Sequence, residues 1–161
     1  ASDVYKRQIE GEQHIYLKEE DVSTAIRTEA AGMAASAVGA NPAVRAFLLE
    51  LQRDMAKKQD VLMDGRDIGT TVFPDAELKI FVTASPEIRA QRRYDELKAK
   101  GEEAGFDEIL ENVKQRDYID QNRAVSPLRK ADDALLLDNS HMTISQQKEW
   151  LAAQFEKVCK A

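Results

Sequence analysis

Three short apolar runs constrain this chain most: "DVLMD" at 60–64, "ELKIFVTA" at 77–84 and "DALLLD" at 133–138. Each reads as a short buried strand. The second is too continuous in Leu, Ile, Phe and Val to have a wet face, which suits a parallel sheet covered on both sides. Long helix-patterned stretches separate the runs. Strands alternating with helices argue an α/β fold with a parallel sheet.

The helices carry their own start and stop signals. "NPAVRAFLLELQRDMAKK" has Asn41 as N-cap and Pro42 at its first position, with Val44, Phe47, Leu48, Leu51 and Met55 making one apolar face. "SPEIRAQRRYDELKAKG" opens on Ser85 and Pro86 and ends near Gly101. "FDEILENVKQRDYIDQNRA" is a second long helix. "TISQQKEWLAAQFEKVCK" closes the chain, with Thr143 and Gln146 spaced as a capping box. Upstream, "EAAGMAASAVG" leans helical, with Gly39 and Asn41 as a stop, and "QHIYLKEED" shows the alternation of a half-buried strand at Ile15 and Leu17. "KAKGEE" at 98–103 reads as a loop between two helices, either mobile or a plain connector.

The 161 residues fit one domain with a real core, and 43% hydrophobic with 32% charged residues is ordinary for a soluble globular protein. A net charge of -6 offers no basic field to nucleic acid or an anionic membrane, so any phosphate must be met by locally placed arginines. The one cysteine, Cys159, permits no internal disulfide and suits a reducing cytosol. No apolar run is long enough to span a bilayer, and no signal peptide is visible. His14 and His141 are far apart and read as surface or packing residues, so no metal site is expected. Cys159 reads as packing, and Trp150, with Leu151 and Phe155, as core.

Three groups of residues can carry chemistry. Asp64, Gly65, Arg66, Asp67 and Gly69 follow the first apolar run, where an open parallel sheet binds its ligands. Arg66 offers a donor fork that fits a phosphate, and the two acids can read an amino group or a hydroxyl. A turn whose acids pair with its own arginine fits the same residues. Arg116, Asp120 and Arg123 fall at i, i+4 and i+7 on one helix face. They can clamp a phosphate and a ribose, or form an exposed ion pair worth about 0.3–0.5 kcal/mol. Arg89, Arg92 and Arg93 share one side of their helix and can close over a transferring phosphoryl group, or be a solvated basic face.

Taken together, "DGRDIGTTVFPDAELKIFVTAS", "RAQRR", "RDYIDQNRAVSPL" and "ADDALLLD" resemble the bacterial cytidylate kinase family, in order and spacing. "EEDVSTAIRTEAAGMAASAVGANPAVRAFLLELQR" resembles that family's CMP-binding insert. The similarity runs from about residue 9 to 160. It implies an α/β fold of the P-loop nucleoside monophosphate kinase type, and phosphoryl transfer from ATP, with Mg²⁺, to CMP or dCMP. By the resemblance, Ser36, Arg45, Asp64, Arg66 and Asp67 hold the nucleoside monophosphate, with Ser36 and Asp64 near the cytosine. Arg116 and Arg123 meet its phosphate, and Asp120 takes its sugar hydroxyls. Arg92 and Arg93 are lid arginines on the ATP phosphates, and Arg92, Arg93 and Arg116 are the expected catalytic groups. No general base is assigned. A cytoplasmic monomer whose partners are these nucleotides, with no nucleic acid and no membrane, is expected.

The family pattern opens with a strand and a GxxxxGK[ST] loop, and these 161 residues contain neither that loop nor the helix after it. "ASDVYKRQ" has no initiator Met, and "DVYKRQ" resembles the translation of a transposase adapter. Residues 1–8 are therefore expected to be an adapter artefact, or else an ordinary disordered N-terminus, 9–59 a partial CMP-binding insert with its following helix, and 60–161 a partial core with a lid at about 92–106. By the resemblance, the phosphate-loop strand lies between Val61–Met63 and Leu78–Val82. Its loss implies little kinase activity, uncovered apolar surface on both strands and a tendency to aggregate. Two other readings stay open: a CMP-binding remnant without turnover, and a related kinase acting on UMP, AMP or shikimate. A domain fused upstream is also compatible with the sequence.

Overall fold

Glu10 and Gly11 both take positive φ, 53° and 87°. A primed two-residue hairpin turn needs that pair of values. β1 (Val4–Ile9) therefore folds straight back on β2 (Glu12–Leu17), antiparallel, with Ile9 opposite Glu12 and Val4 opposite Leu17. The computed structural model describes residues 4–160, and of residues 4, 5, 29, 33, 36 and 40 the backbone only. Of the residues 1–8 set apart in the sequence, 4–8 lie in β1, and 1–3 lie outside the described residues. The turn chemistry of "IEGE" and the ladder to β2 give 4–8 a place.

β2 pairs in turn with β3 (Glu20–Asp21) across Lys18, another residue with positive φ, at 57°. A knot of side chains closes this sheet. The Ile15 amide donates to Ser23 Oγ at 2.8 Å, and the Ser23 amide to Asp21 Oδ1 at 2.9 Å. His14 Nδ1 lies 2.7 Å from the other Asp21 oxygen. The Ser23 hydroxyl first, then its amide and His14, hold the Asp21 carboxyl down to about 2.

The chain divides into two units, residues 1–51 and 52–161. The first holds the three-stranded sheet, a single 3-10 turn at Ala25–Arg27, α1 (Glu29–Ala40) and most of α2 (Pro42–Ala56). Thr28 caps α1 by accepting from the Ala31 amide at 3.2 Å. Asn41 ends α1 and starts α2, its Oδ1 accepting from the Ala43 amide at 2.9 Å and the Val44 amide at 3.3 Å. Gly39 lies inside α1 rather than beyond its end. The apolar face expected on α2 is open: Phe47 is 67% and Leu51 49% exposed. Helical spacing shows which side a helix would bury, but not that a partner covers it.

In the second unit, β4 (Ile80–Thr83) and β5 (Leu135–Asp138) form a parallel pair, Ile80 opposite Leu135 and Thr83 opposite Asp138. Between them run α3 (Pro86–Ala99) and α4 (Phe106–Asn122), and α5 (Ile144–Cys159) follows. Ser85 Oγ caps α3 through the Ile88 amide at 3.2 Å. The capping box of α5 is complete, with Thr143 Oγ1 accepting from the Gln146 amide and Gln146 Oε1 from the Thr143 amide. Among the described residues, the buried apolar ones are Val72, Ala84, Ala90, Ile109, Ala134 and Leu137, all in this unit.

Three expectations are corrected here. Val61–Met63 is not a strand, and Leu62 is fully exposed. A strand exists through its ladder, and no described segment pairs with this one. β4 and β5 are not covered on both sides: Val82 is 54% and Leu136 56% exposed. On α5, Cys159 and Phe155 are exposed and Trp150 is only half-buried, so that stripe is not a core.

Candidate functional site

Beyond the carboxyl ends of β4 and β5 the chain gathers arginines, and Arg66, Arg89, Arg92 and Arg123 are each met by an acceptor. The Asn139 amide continues the ladder by donating to the Thr83 carbonyl at 2.9 Å. This fixes Asn139 beside α3, where Arg92 Nη1 donates to its Oδ1 at 3.0 Å and Arg92 Nη2 to its carbonyl at 2.7 Å. One turn earlier, Arg89 Nε donates to the Ala84 carbonyl at 3.0 Å, and its two terminal nitrogens grip both oxygens of Asp117 on α4. Arg89, Arg92, Asp117, Asn139, Thr83 and Leu128 line a cleft of about 240 Å³ at this sheet end.

The second part is built by the loop after residue 64 and the end of α4. Gly65 gives the Ile68 side chain its room: a Cβ there would meet Ile68 Cγ1 at 2.9 Å, and that side chain would have to shift. The loop winds into a single π-helical turn, Ile68–Val72, with the Thr71 and Val72 amides both donating to the Asp67 carbonyl. Arg53, from the end of α2, anchors it by donating to the carbonyls of Thr71 at 2.8 Å and Val72 at 3.1 Å. So placed, Arg66 Nε donates to Asp120 Oδ2 at 2.6 Å. Arg123 lies 3.9 Å from Asp67 and 4.0 Å from Asp120, and Asp67 is buried. Arg123 Nη2 is itself buried, with no hydrogen-bond partner among the described residues.

Charge in the cluster is balanced locally. The Arg89 hydrogen bonds, opposed by burial, hold the Asp117 carboxyl below the usual carboxylate range, and the charges of Arg116 and Arg66 add to this. Arg89 is shifted upward by the same pair. Such an arrangement can hold an anion, because its cations are fixed before the anion arrives.

Of the residues singled out from the sequence, Arg66, Asp67, Asp120 and Arg123 come together. Arg116 is exposed on α4, close enough to influence Asp117. Arg92 faces Asn139, but Arg93 turns to Glu96 on its own helix at 2.9 Å, so Arg89, Arg92 and Arg93 do not share one target. Asp64 is exposed at the head of its loop. Ser36 and Arg45 belong to the first unit. The Ser36 side chain lies outside the described residues, and Arg45, half-buried on α2, donates to the Gly39 carbonyl at 3.4 Å. Sequence reasoning missed Arg53, Asp117 and Asn139. Only Asp117 had a signal, as the acid next to Arg116 on α4.

Among the described residues, no three His, Cys, Asp or Glu side chains gather as a metal site, and no helix is long and apolar enough to cross a membrane.

A parallel sheet with arginine and carboxylate pairs beyond its carboxyl ends puts the chain among α/β proteins whose ligands bind at that edge. The comparisons narrow the class. The Cytidylate kinase family model matches residues 3–157. A cytidylate kinase of Bacteroides fragilis is 64% identical over 151 residues, covering 94% of this chain and 66% of that protein. One of Bacteroides thetaiotaomicron is 64% identical over 150 residues, covering 93% and 66%, and one of Porphyromonas gingivalis 54% over 144, covering 89% and 62%. The chain belongs to the cytidylate kinase family, and so to the P-loop nucleoside monophosphate kinase fold. It spans slightly under two thirds of the length of these relatives.

Proposed function

We propose that this chain binds CMP or dCMP as the acceptor half of an ATP-dependent cytidylate kinase. In that reaction an oxygen of the CMP phosphate forms a bond to the γ-phosphorus of ATP. The bond from that phosphorus to the β-phosphate bridging oxygen breaks, leaving CDP and ADP. The observation that carries the reading is the cluster of Arg66, Asp67, Asp120 and Arg123 in a chain of this family. Phosphoryl transfer asks for positioning and fixed positive charge rather than covalent work from the protein. Arg66, Arg116 and Arg123 are assigned to the CMP phosphate and Asp120 to the sugar hydroxyls. Asp64, Asp67, Ser36 and Arg45 take the rest of the nucleotide. Arg92, with Arg93, is assigned to the ATP phosphates, and Mg²⁺ enters as part of the nucleotide. The reading makes this a cytoplasmic protein, in keeping with its one cysteine.

A second reading, CMP binding without turnover, is favoured by one observation: these 161 residues contain no GxxxxGK[ST]. Calorimetric titration with CMP, beside an assay for ADP release, separates the two. Binding with turnover supports the kinase reading for this chain, and binding without turnover supports the second. No binding of CMP or dCMP at millimolar concentration rejects both.

A further inference from the structure

Ser126 is the one described non-glycine residue of the second unit with positive φ, at 48°. A serine there is strained, and strain of this kind persists only where the surroundings impose it. Pro127 follows it and disfavours the right-handed helical alternative for Ser126. The conformation has a visible use. It aims the Ser126 carbonyl back at α4, where it accepts from Arg123 Nε at 2.7 Å. The chain then returns, and the Leu128 amide donates to the Asp120 carbonyl at 2.7 Å. The Arg123 amide meanwhile donates to the Ile119 carbonyl at 3.0 Å. Arg123 is thus fixed at its backbone and at Nε.

That restraint decides where the rest of the guanidinium goes. With Nε held by a carbonyl and the group planar, the terminal nitrogens face Asp67 and Asp120. Both carboxylates stand too far away to take up Nη2 as a hydrogen-bond donor. A free arginine would rotate to form those bonds.

We propose that Ser126 is a positioning residue, whose left-handed backbone holds Arg123 with a donor in reserve for an anionic ligand. The hydroxyl is not the operative group: the work falls to the carbonyl and to φ. That the anion is the phosphate of CMP rests on the function proposed above. The positioning itself does not.

The test uses the 161-residue chain and the variants Ser126→Gly, Ser126→Val and Pro127→Ala. The first readout is hydrogen exchange at the Arg123 Nε–H by nitrogen-15 NMR, assigned through its loss in Arg123→Lys. Glycine accepts positive φ freely and keeps the carbonyl, so Ser126→Gly retains slow exchange. Valine resists it, so Ser126→Val exchanges at least about tenfold faster. If Ser126→Val loses its helical circular dichroism, Pro127→Ala carries the same test, because it removes only the ring that bars the alternative. Unchanged exchange in the folded Val variant, or in Pro127→Ala where Val does not fold, overturns the proposal.

The second readout is CMP affinity by calorimetry. It is expected to weaken about tenfold in Ser126→Val and to survive in Ser126→Gly. If the unaltered chain binds no CMP, the functional reading fails while the exchange result still decides the role of Ser126.

Discussion

Arg89 on α3 closes both terminal nitrogens on the two carboxylate oxygens of Asp117 on α4, while its Nε holds the carbonyl of Ala84 at the end of β4. One side chain therefore ties a strand end and two helices. Replacing Asp117 with Ala leaves a half-buried guanidinium without its acceptor and is expected to cost about 1–3 kcal/mol. Urea unfolding measures it. A double-mutant cycle with Arg89→Ala should return a coupling on the order of 1 kcal/mol, and zero coupling would refute the tie.

The same pair sets an acid limit. Asp117 is held below its ordinary value of 3.8, so its contribution is fully present above 3.8 and is lost as pH falls through the lower folded value. Unfolding midpoints measured between pH 5 and 2 should drop more steeply for the unaltered chain than for Asp117→Asn. Parallel curves would show that Asp117 titrates alike in both states.

Arg66 separates binding from stability. Its bond to Asp120 is half exposed, with the arginine side chain 49% accessible. Arg66→Ala is therefore expected to change stability by less than about 1 kcal/mol, yet to weaken CMP at least about tenfold. Calorimetry and urea unfolding on one preparation distinguish the two. An equal, small effect on both would remove Arg66 from the proposed site.

Arg92 and Arg93 should part company. Arg92 is already oriented into the cleft by Asn139, whereas Arg93 is engaged with Glu96. On the proposed assignment of these arginines to the ATP phosphates, Arg92→Ala is expected to lower ATP affinity by about tenfold and leave CMP affinity unchanged, with a smaller loss for Arg93→Ala. Equal losses at both positions would show that Arg93 leaves Glu96 when ATP binds.

Exposed apolar side chains at Leu62, Val82 and Leu136 forecast self-association. Sedimentation should show species that grow with concentration, and Leu136→Lys should reduce them. A monomer at millimolar concentration would contradict this.

What was legible in the sequence was mostly local. The caps at Asn41, Ser85 and Thr143 act on amides two or three residues away, and all three occur as read. The runs at Ile80–Thr83 and Leu135–Asp138 announced a parallel pair. The run at Val61–Met63 looked the same, but a strand is a relation between segments, and composition does not supply the partner. The hairpin at Glu10–Gly11 needs β1 as its first strand, and most of that strand lies in a segment that reads as an artefact. In the site, Arg66 and Asp120 are distant in sequence and were joined only through family resemblance. The grip of Arg89 on Asp117 crosses from one helix to another, so no spacing rule reaches it.

The Glu10–Gly11 turn also sets a clock. The pairings in the first sheet zip outward from tight turns, beginning with Ile9 opposite Glu12 and Leu17 opposite Glu20, so little loop entropy opposes them and closure on the microsecond scale is expected. Ile80, by contrast, must find Leu135 across two intervening helices. Low contact order at one end and high at the other predict two kinetic phases, with the hairpin formed while the parallel pair is still searching. In a chain growing from its N-terminus, that order is also the order of emergence.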